Sequence, residues 1–273
     1  MRGQQWQTNL DGLCRSLEDY AQKNGIGVPN PSSGAAARLS DSLYLAHSTS
    51  VEKFSDICAS GYLGSAARLA ADRSESLAPG RTEVVLGTAG SVFFHVSPFR
   101  FPQTGCGFLF AKALESHRSD DGMATPFDSG GLLKVFTRLN AAEPPRAFLS
   151  RHELPIPEHR RYLGLSMEVL FDKPEDYIEG LEPRLPGPIG LTGGDRRRWT
   201  HEVRIPERVP VRDRHLRAVF APRSRVAADR EVEDLFQWCV GKGTDRILFD
   251  TPHENDFEAL RQECLEYIRG KLY

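Results

Sequence analysis

Between Leu43 and Gly61 the chain passes from a strand pattern into a helix pattern with almost no connector, and no other stretch limits the fold as much. In SLYLAH (42–47) the side chains alternate: Leu43, Leu45 and His47 project one way, Tyr44 and Ala46 the other. Thr49 and Glu52 have the T-x-x-E spacing of a capping box. Val51, Phe54, Ile57 and Cys58 then form an apolar helical stripe, and Gly61 is placed to stop the helix. The unit is a strand with a histidine at its end, a capped helix and a glycine stop.

Around this unit the elements follow no tidy strand–helix–strand series. Residues 5–24 predict an amphipathic helix with Leu10, Leu13, Leu17 and Tyr20 on one face, and GIGVPNPSSG (25–34) is a turn or linker. The polar stretch 64–90 is too long for a bare connector and reads as part helix, part loop. SVFFHVSPF (91–99) is a strand that Pro98 ends. GFLFAKAL (107–114) and LLKVF (132–136) fit either a strand or a helix, and 120–131 reads as loop. Residues 143–182 are helical in pieces broken by Pro155, Pro157 and Pro174, and 181–198 is a long loop. WTHEVRI (199–205) and HLRAVFAP (215–222) are strands, followed by helix 226–241, strand 246–249 and helix 254–271. The irregular order favours an α+β fold over a doubly wound one. The expected organisation is an N-terminal helix and linker (1–40), a catalytic core (41–225) and a C-terminal helix–strand–helix extension (226–273).

Composition removes several classes of function. A net charge of −2 creates no global field toward nucleic acid or membrane, so such a partner would be met by a local patch. No apolar run approaches the roughly 18 residues that span a bilayer, and the N-terminus has no apolar signal region, so a cytoplasmic protein is expected. The five cysteines are far apart and odd in number, which suits buried thiols better than disulfides. No HxxH, HExxH or CxxC spacing occurs, and no metal is expected. GxxxxGK[ST], GxGxxG and GxSxG are also absent.

What remains is His47, the aromatic strand FFHVSPFRF (93–101) and Glu202. On the 199–205 strand Trp199, His201, Val203 and Ile205 share one face, and Thr200, Glu202 and Arg204 the other. Two readings of Glu202 stay open. It pairs with Arg204 on a solvent face, or it is the working carboxylate of a site. In the second case, chemistry through a cation, such as breaking the glycosidic bond of a ribose, suits a fixed carboxylate with neither nucleophile nor metal beside it.

LYLAHSTSVEKFSDICASGYL (43–63) resembles the opening motif of the ADP-ribosyltransferases. HVSPFRF (95–101) and HEVRIPERVPV (201–211) are similar to the proline-aromatic and catalytic-glutamate segments of the DarT family of DNA ADP-ribosyltransferase toxins. The chain departs from that family at Arg100, where a tyrosine is usual, and at Gln103-Thr104-Gly105, where the family has arginine-serine-proline. The resemblance implies a split β-sandwich of two packed, mainly antiparallel sheets with peripheral helices and a cleft for NAD, which is a substrate. It implies that His47 binds a ribose of NAD, with Ser48 and Thr49 near the nicotinamide. One of Phe94, Phe99 and Phe101 would stack on the nicotinamide. Arg81, preferred to Arg68, would be the arginine between the first two motifs, and Glu202 the catalytic carboxylate.

In that fold the loop before the glutamate strand meets the acceptor, here GLTGGDRRRWT (190–200). Arg196, Arg197 and Arg198 offer charge to phosphates, and Trp199 a π-face to an unpaired base, which suits single-stranded DNA or RNA. The implied biology is a toxin or defence effector with a partner antitoxin protein. The alternatives are an NAD glycohydrolase, a protein-modifying transferase and a non-catalytic nucleic-acid-binding module.

Overall fold

The computed structural model describes residues 2–27, 35–73, 80–97, 105–111, 122–131, 143–185, 189, 199–250 and 257–272. Its centre is an eight-stranded sheet. In order across it lie β10 (Asp245–Phe249), β9 (Leu216–Pro222), β4 (Cys106–Ala111), β1 (Tyr44–Thr49), β3 (Ser91–Val96), β7 (Glu202–Pro206), β5 (Met123–Thr125) and β6 (Leu154–Pro155). β10 runs parallel to β9, and every other neighbouring pair is antiparallel. β2 (Tyr62–Gly64) and β8 (Arg208–Pro210) form a separate two-stranded ribbon. The α+β class is as expected. By hydrogen bonding the strands form one wide sheet with a small ribbon beside it.

That wide sheet is continuous only in a narrow sense. β1 pairs with β4 along its whole length, from Tyr44↔Ala111 to Thr49↔Cys106. β3 pairs with β7 from Ser91↔Pro206 to His95↔Glu202. Between β1 and β3, however, the ladder holds only Leu45↔Val96 and Ala46↔His95. Beyond those pairs the strands splay apart, leaving two half-sheets joined at one end and open at the other.

The helix after β1, α3 (Val51–Ser60), keeps the predicted stripe: Phe54 and Cys58 are buried. Its cap is Ser50, whose hydroxyl accepts from the Lys53 amide, rather than Thr49, which is the last residue of β1. The hydroxyl that caps is the one just outside the helix, and in the run STSVEK (48–53) spacing alone does not choose it. Gly61 ends α3 in the left-handed region (φ 76°) with its amide on the Ile57 carbonyl, as the glycine stop requires.

Two expectations change with the elements seen, and one holds. The stretch 120–131 contains β5 and a 3-10 turn, Ser129–Gly131, because three strand residues are too few for alternation to register. As expected, 143–182 is helical in pieces divided at its prolines: Pro155 and Pro157 sit where α7 (Ile156–Leu170) opens, and Pro174 opens α8 (Pro174–Ile178), where a missing N–H costs nothing. The C-terminal helix 226–241 is two, α9 (Arg223–Ala228) and α10 (Arg230–Lys242), divided at Asp229, which caps the second. The remaining helices are α1 (Arg2–Lys23), α2 (Ala35–Ser42), α4 (Ala66–Arg73), α5 (Arg81–Leu86), α6 (Pro145–His152) and α11 (Phe257–Leu272). α1 and α2 pack on α7, and α10 packs on α3.

One face of the sheet is an aromatic core. Phe94, Phe108 and Phe110 are fully buried, with Phe94 edge-on to Phe110 at 5.8 Å and Phe54 of α3 5.2 Å from Phe108. Each such ring contributes about 2 kcal/mol of burial. All five cysteines are buried and none forms a disulfide. No helix among the described residues is long and apolar enough to cross a membrane.

Candidate active site

The opening between β1 and β3 is a cleft of about 550 Å³. His47, Ser48 and Thr49 line it from β1, Ser91, Val92 and Phe93 from β3. Lys53 of α3, Tyr62 of β2 and Glu83 of α5 complete its walls. His47 sits at the vertex, where the strands part. Its Nδ1–H donates to the Phe93 carbonyl at 2.8 Å, which leaves Nε2 as an acceptor. Burial, only partly offset by that carbonyl, pushes the imidazole down to about 4, so at neutral pH the ring is uncharged. It offers a lone pair to a hydroxyl donor and no charge to a phosphate.

Glu202 does not lie on a solvent face with Arg204. Both are buried, at 2% and 4% exposure, so the surface-pair reading is overturned. Ser129 covers the carboxylate: its hydroxyl donates to Oε1 at 2.7 Å and its amide to Oε2 at 3.2 Å. Arg204 brings Nε to 3.6 Å from Oε1 and Nη2 to 2.6 Å from a Glu153 oxygen. Burial, reinforced by the nearby Asp128, pushes the Glu202 carboxyl up to about 8, against the opposing pull of Arg204 and Ser129.

Register decides which histidine accompanies this acid. His95 is the direct cross-strand neighbour of Glu202, and its Nε2 lies 3.8 Å from Asp128. Burial lowers its basicity despite that carboxylate. Ala46 pairs with His95, so His47 points to the opposite face, where its ring lies 5.7 Å from Phe94. His47 and Glu202 therefore do not face each other across one groove. They are linked through β3: Ser91 and Phe93, which line the cleft, share a face with His95, and Phe93 pairs with Arg204 as His95 pairs with Glu202.

Other expected site residues fall elsewhere. Phe94 is fully buried in the core, and its neighbour Phe93 is the ring at the cleft. In FFHV alternation sends one phenylalanine to each side, but the sequence does not say which side is core. Trp199 is 3% exposed and packed in the hydrophobic core, so it offers no face to a base. Arg81 opens α5 and is exposed; Gly80 and Glu83 border the cleft there. Ser48 and Thr49 line the cleft. Phe99, Phe101, Arg196, Arg197 and Arg198 lie outside the described residues. The sequence reading missed His95, Asp128, Ser129 and Tyr62, whose relevance rests on pairing and turns rather than on a motif.

Behind Glu202 lies a second buried polar chain. Ser166 donates to the Leu163 carbonyl at 2.8 Å, so it accepts from His201 Nε2–H at 3.3 Å. His201 Nδ1 in turn accepts from His159 Nε2–H at 2.8 Å. Both rings are buried. Replacing His159 with leucine strands the His201 acceptor, and urea unfolding is expected to show a loss of about 2 kcal/mol.

Compared with protein-family models and with curated protein sequences, the chain matches none of either. Among the described residues no group of three histidine, cysteine, aspartate or glutamate side chains is placed to hold a metal ion.

Proposed function

We propose that this chain is an ADP-ribosyltransferase that binds NAD in the split of its sheet and transfers ADP-ribose to a nucleic-acid acceptor. The observation that carries the reading is the splay of β1 and β3 directly after the strand-end histidine. It opens a cleft of ligand size whose β3 wall continues, on one face, to Glu202. The split recovers, within a single sheet, the cleft that a split β-sandwich would provide.

In this reading the neutral His47 accepts a hydrogen bond from a ribose hydroxyl, and Lys53 stands near the diphosphate. As nicotinamide leaves, the ionised Glu202 steadies the positive charge that spreads over the ribose carbon and ring oxygen. Ser129 now occupies both carboxylate oxygens, so the Ser129–Gly131 turn withdraws as the ribose enters and its hydroxyl replaces those bonds. The nucleic-acid acceptor rests on the arginine triplet 196–198, since Trp199 is buried.

The test is incubation with labelled NAD, single-stranded DNA, RNA and protein, followed by nuclease or protease. Nuclease-sensitive label is expected. Protease-sensitive label would move the acceptor to protein, free ADP-ribose without acceptor would mean a glycohydrolase, and unconsumed NAD would overturn the reading. Because Glu202 acts ionised and its carboxyl is pushed up to about 8, kcat/KM for NAD is expected to rise about tenfold per pH unit below that value and level off above it.

A further inference from the structure

We infer that Tyr62 is the stacking platform for the adenine of the dinucleotide, an inference that rests on the NAD reading of the cleft. Tyr62 lines the cleft on the β2–β8 ribbon and is only partly buried, an unusual position for a ring held so firmly. Its hydroxyl donates to Asp72 at 2.9 Å, and Arg68 fixes that carboxylate from 3.1 Å. The Arg208 guanidinium lies over the ring, 5.6 Å from its centroid. Gly64 lets Leu69 and the ring close together: a β-carbon there would come within 3.3 Å of Tyr62 Cε2 and 2.7 Å of Leu69. A ring locked by hydrogen bond, cation and glycine loses little freedom when a flat ligand settles on it.

Position assigns the adenine end. The ribbon is tied to the start of β3, for Glu207 donates to the Gly90 carbonyl and accepts from the Ser65 amide. Glu202 pairs with His95 near the other end of β3. From Ser91 to His95 is four residue steps, about 14 Å of strand, which an extended ribose–diphosphate–ribose chain bridges. With the reacting ribose at Glu202, the far base arrives at Tyr62.

The experiment is calorimetry of NAD, AMP and nicotinamide mononucleotide on the full chain, with Tyr62→Ala and Tyr62→Phe. AMP is expected to bind alone and to compete with NAD. Tyr62→Ala should weaken NAD and AMP at least about tenfold and leave nicotinamide mononucleotide unchanged, with KM for NAD raised and kcat kept. Tyr62→Phe, which keeps the ring, should stay within about threefold and controls for folding. Unchanged NAD and AMP binding in Tyr62→Ala overturns the platform while leaving the transferase reading intact. A wild-type chain that binds neither AMP nor NAD overturns it as well, and so does a loss confined to a single-stranded oligonucleotide. AMP binding that needs Tyr62 in a protein that never consumes NAD upholds the platform and sinks the transferase.

Discussion

Glu202→Gln is expected to lower ADP-ribose transfer about 10³-fold while leaving the protein no less stable, and more stable above neutral pH. The two halves of this result have one cause. The carboxyl is held near 8 in the fold against an ordinary 4.5, so between those values the native protein keeps a proton that the unfolded chain releases. The contribution of this one carboxyl is then fully present below 4.5 and is lost as pH rises to about 8, at up to about 1.4 kcal/mol per unit. Glutamine has the shape of the protonated acid, keeps a partner for Ser129 and cannot ionise. Urea titrations of both proteins should therefore show the difference in stability between variant and wild type growing in the variant's favour as pH rises from 4.5 to about 8. The competing view, that Glu202 is only a buried structural acid, predicts the same stability data but unchanged turnover.

Gly107→Ala should be among the most damaging single-methyl additions in the chain. Gly107 pairs with Ser48, and a β-carbon there would lie 2.2 Å from the His47 carbonyl oxygen and 2.4 Å from the Phe220 ring. Neither neighbour is the loose end of a flexible side chain. One is backbone at the vertex of the cleft, the other a fully buried ring. A loss of about 3 kcal/mol is expected, or roughly 6–12 °C in Tm for a domain of this size. Because the displaced carbonyl belongs to His47, NAD affinity should fall along with Tm. Phe220→Leu in the same chain relieves one of the two contacts and should restore part of the stability but less of the affinity, since the backbone clash persists.

The strand–histidine–helix unit was legible because its signals are local: alternation, an apolar helical stripe and a glycine stop, although which hydroxyl caps the helix was not. The buried acid was legible as a residue but not as an environment. Glu202 followed by Arg204 reads equally as a surface pair or a core cluster, and what settles it is Ser129, some seventy positions earlier in the chain. The pairing of His95 with Glu202 follows from strand register, which sequence spacing does not encode. Trp199 shows the opposite failure: a tryptophan beside three arginines looks like a ligand-binding loop, yet the core claims it. Short strands such as β5 and β6, of three and two residues, exist because β7 offers them an edge, so no local pattern announces them.

The parting of β1 from β3 has one more implication. Ser97 donates its amide to Tyr44, so by alternation the Ser48 main chain turns the same way, into the gap, where the Phe93 carbonyl already meets His47. Sheets ordinarily keep such unzipped margins at their periphery; here two of them confront each other in the middle. On the proposed NAD reading, a guest in that seam would be gripped in part by peptide groups, which every amino acid carries. Alanine scanning of the walls will therefore underestimate how tightly the seam holds, and proline or N-methyl substitution at the margins is the way to reach the remainder.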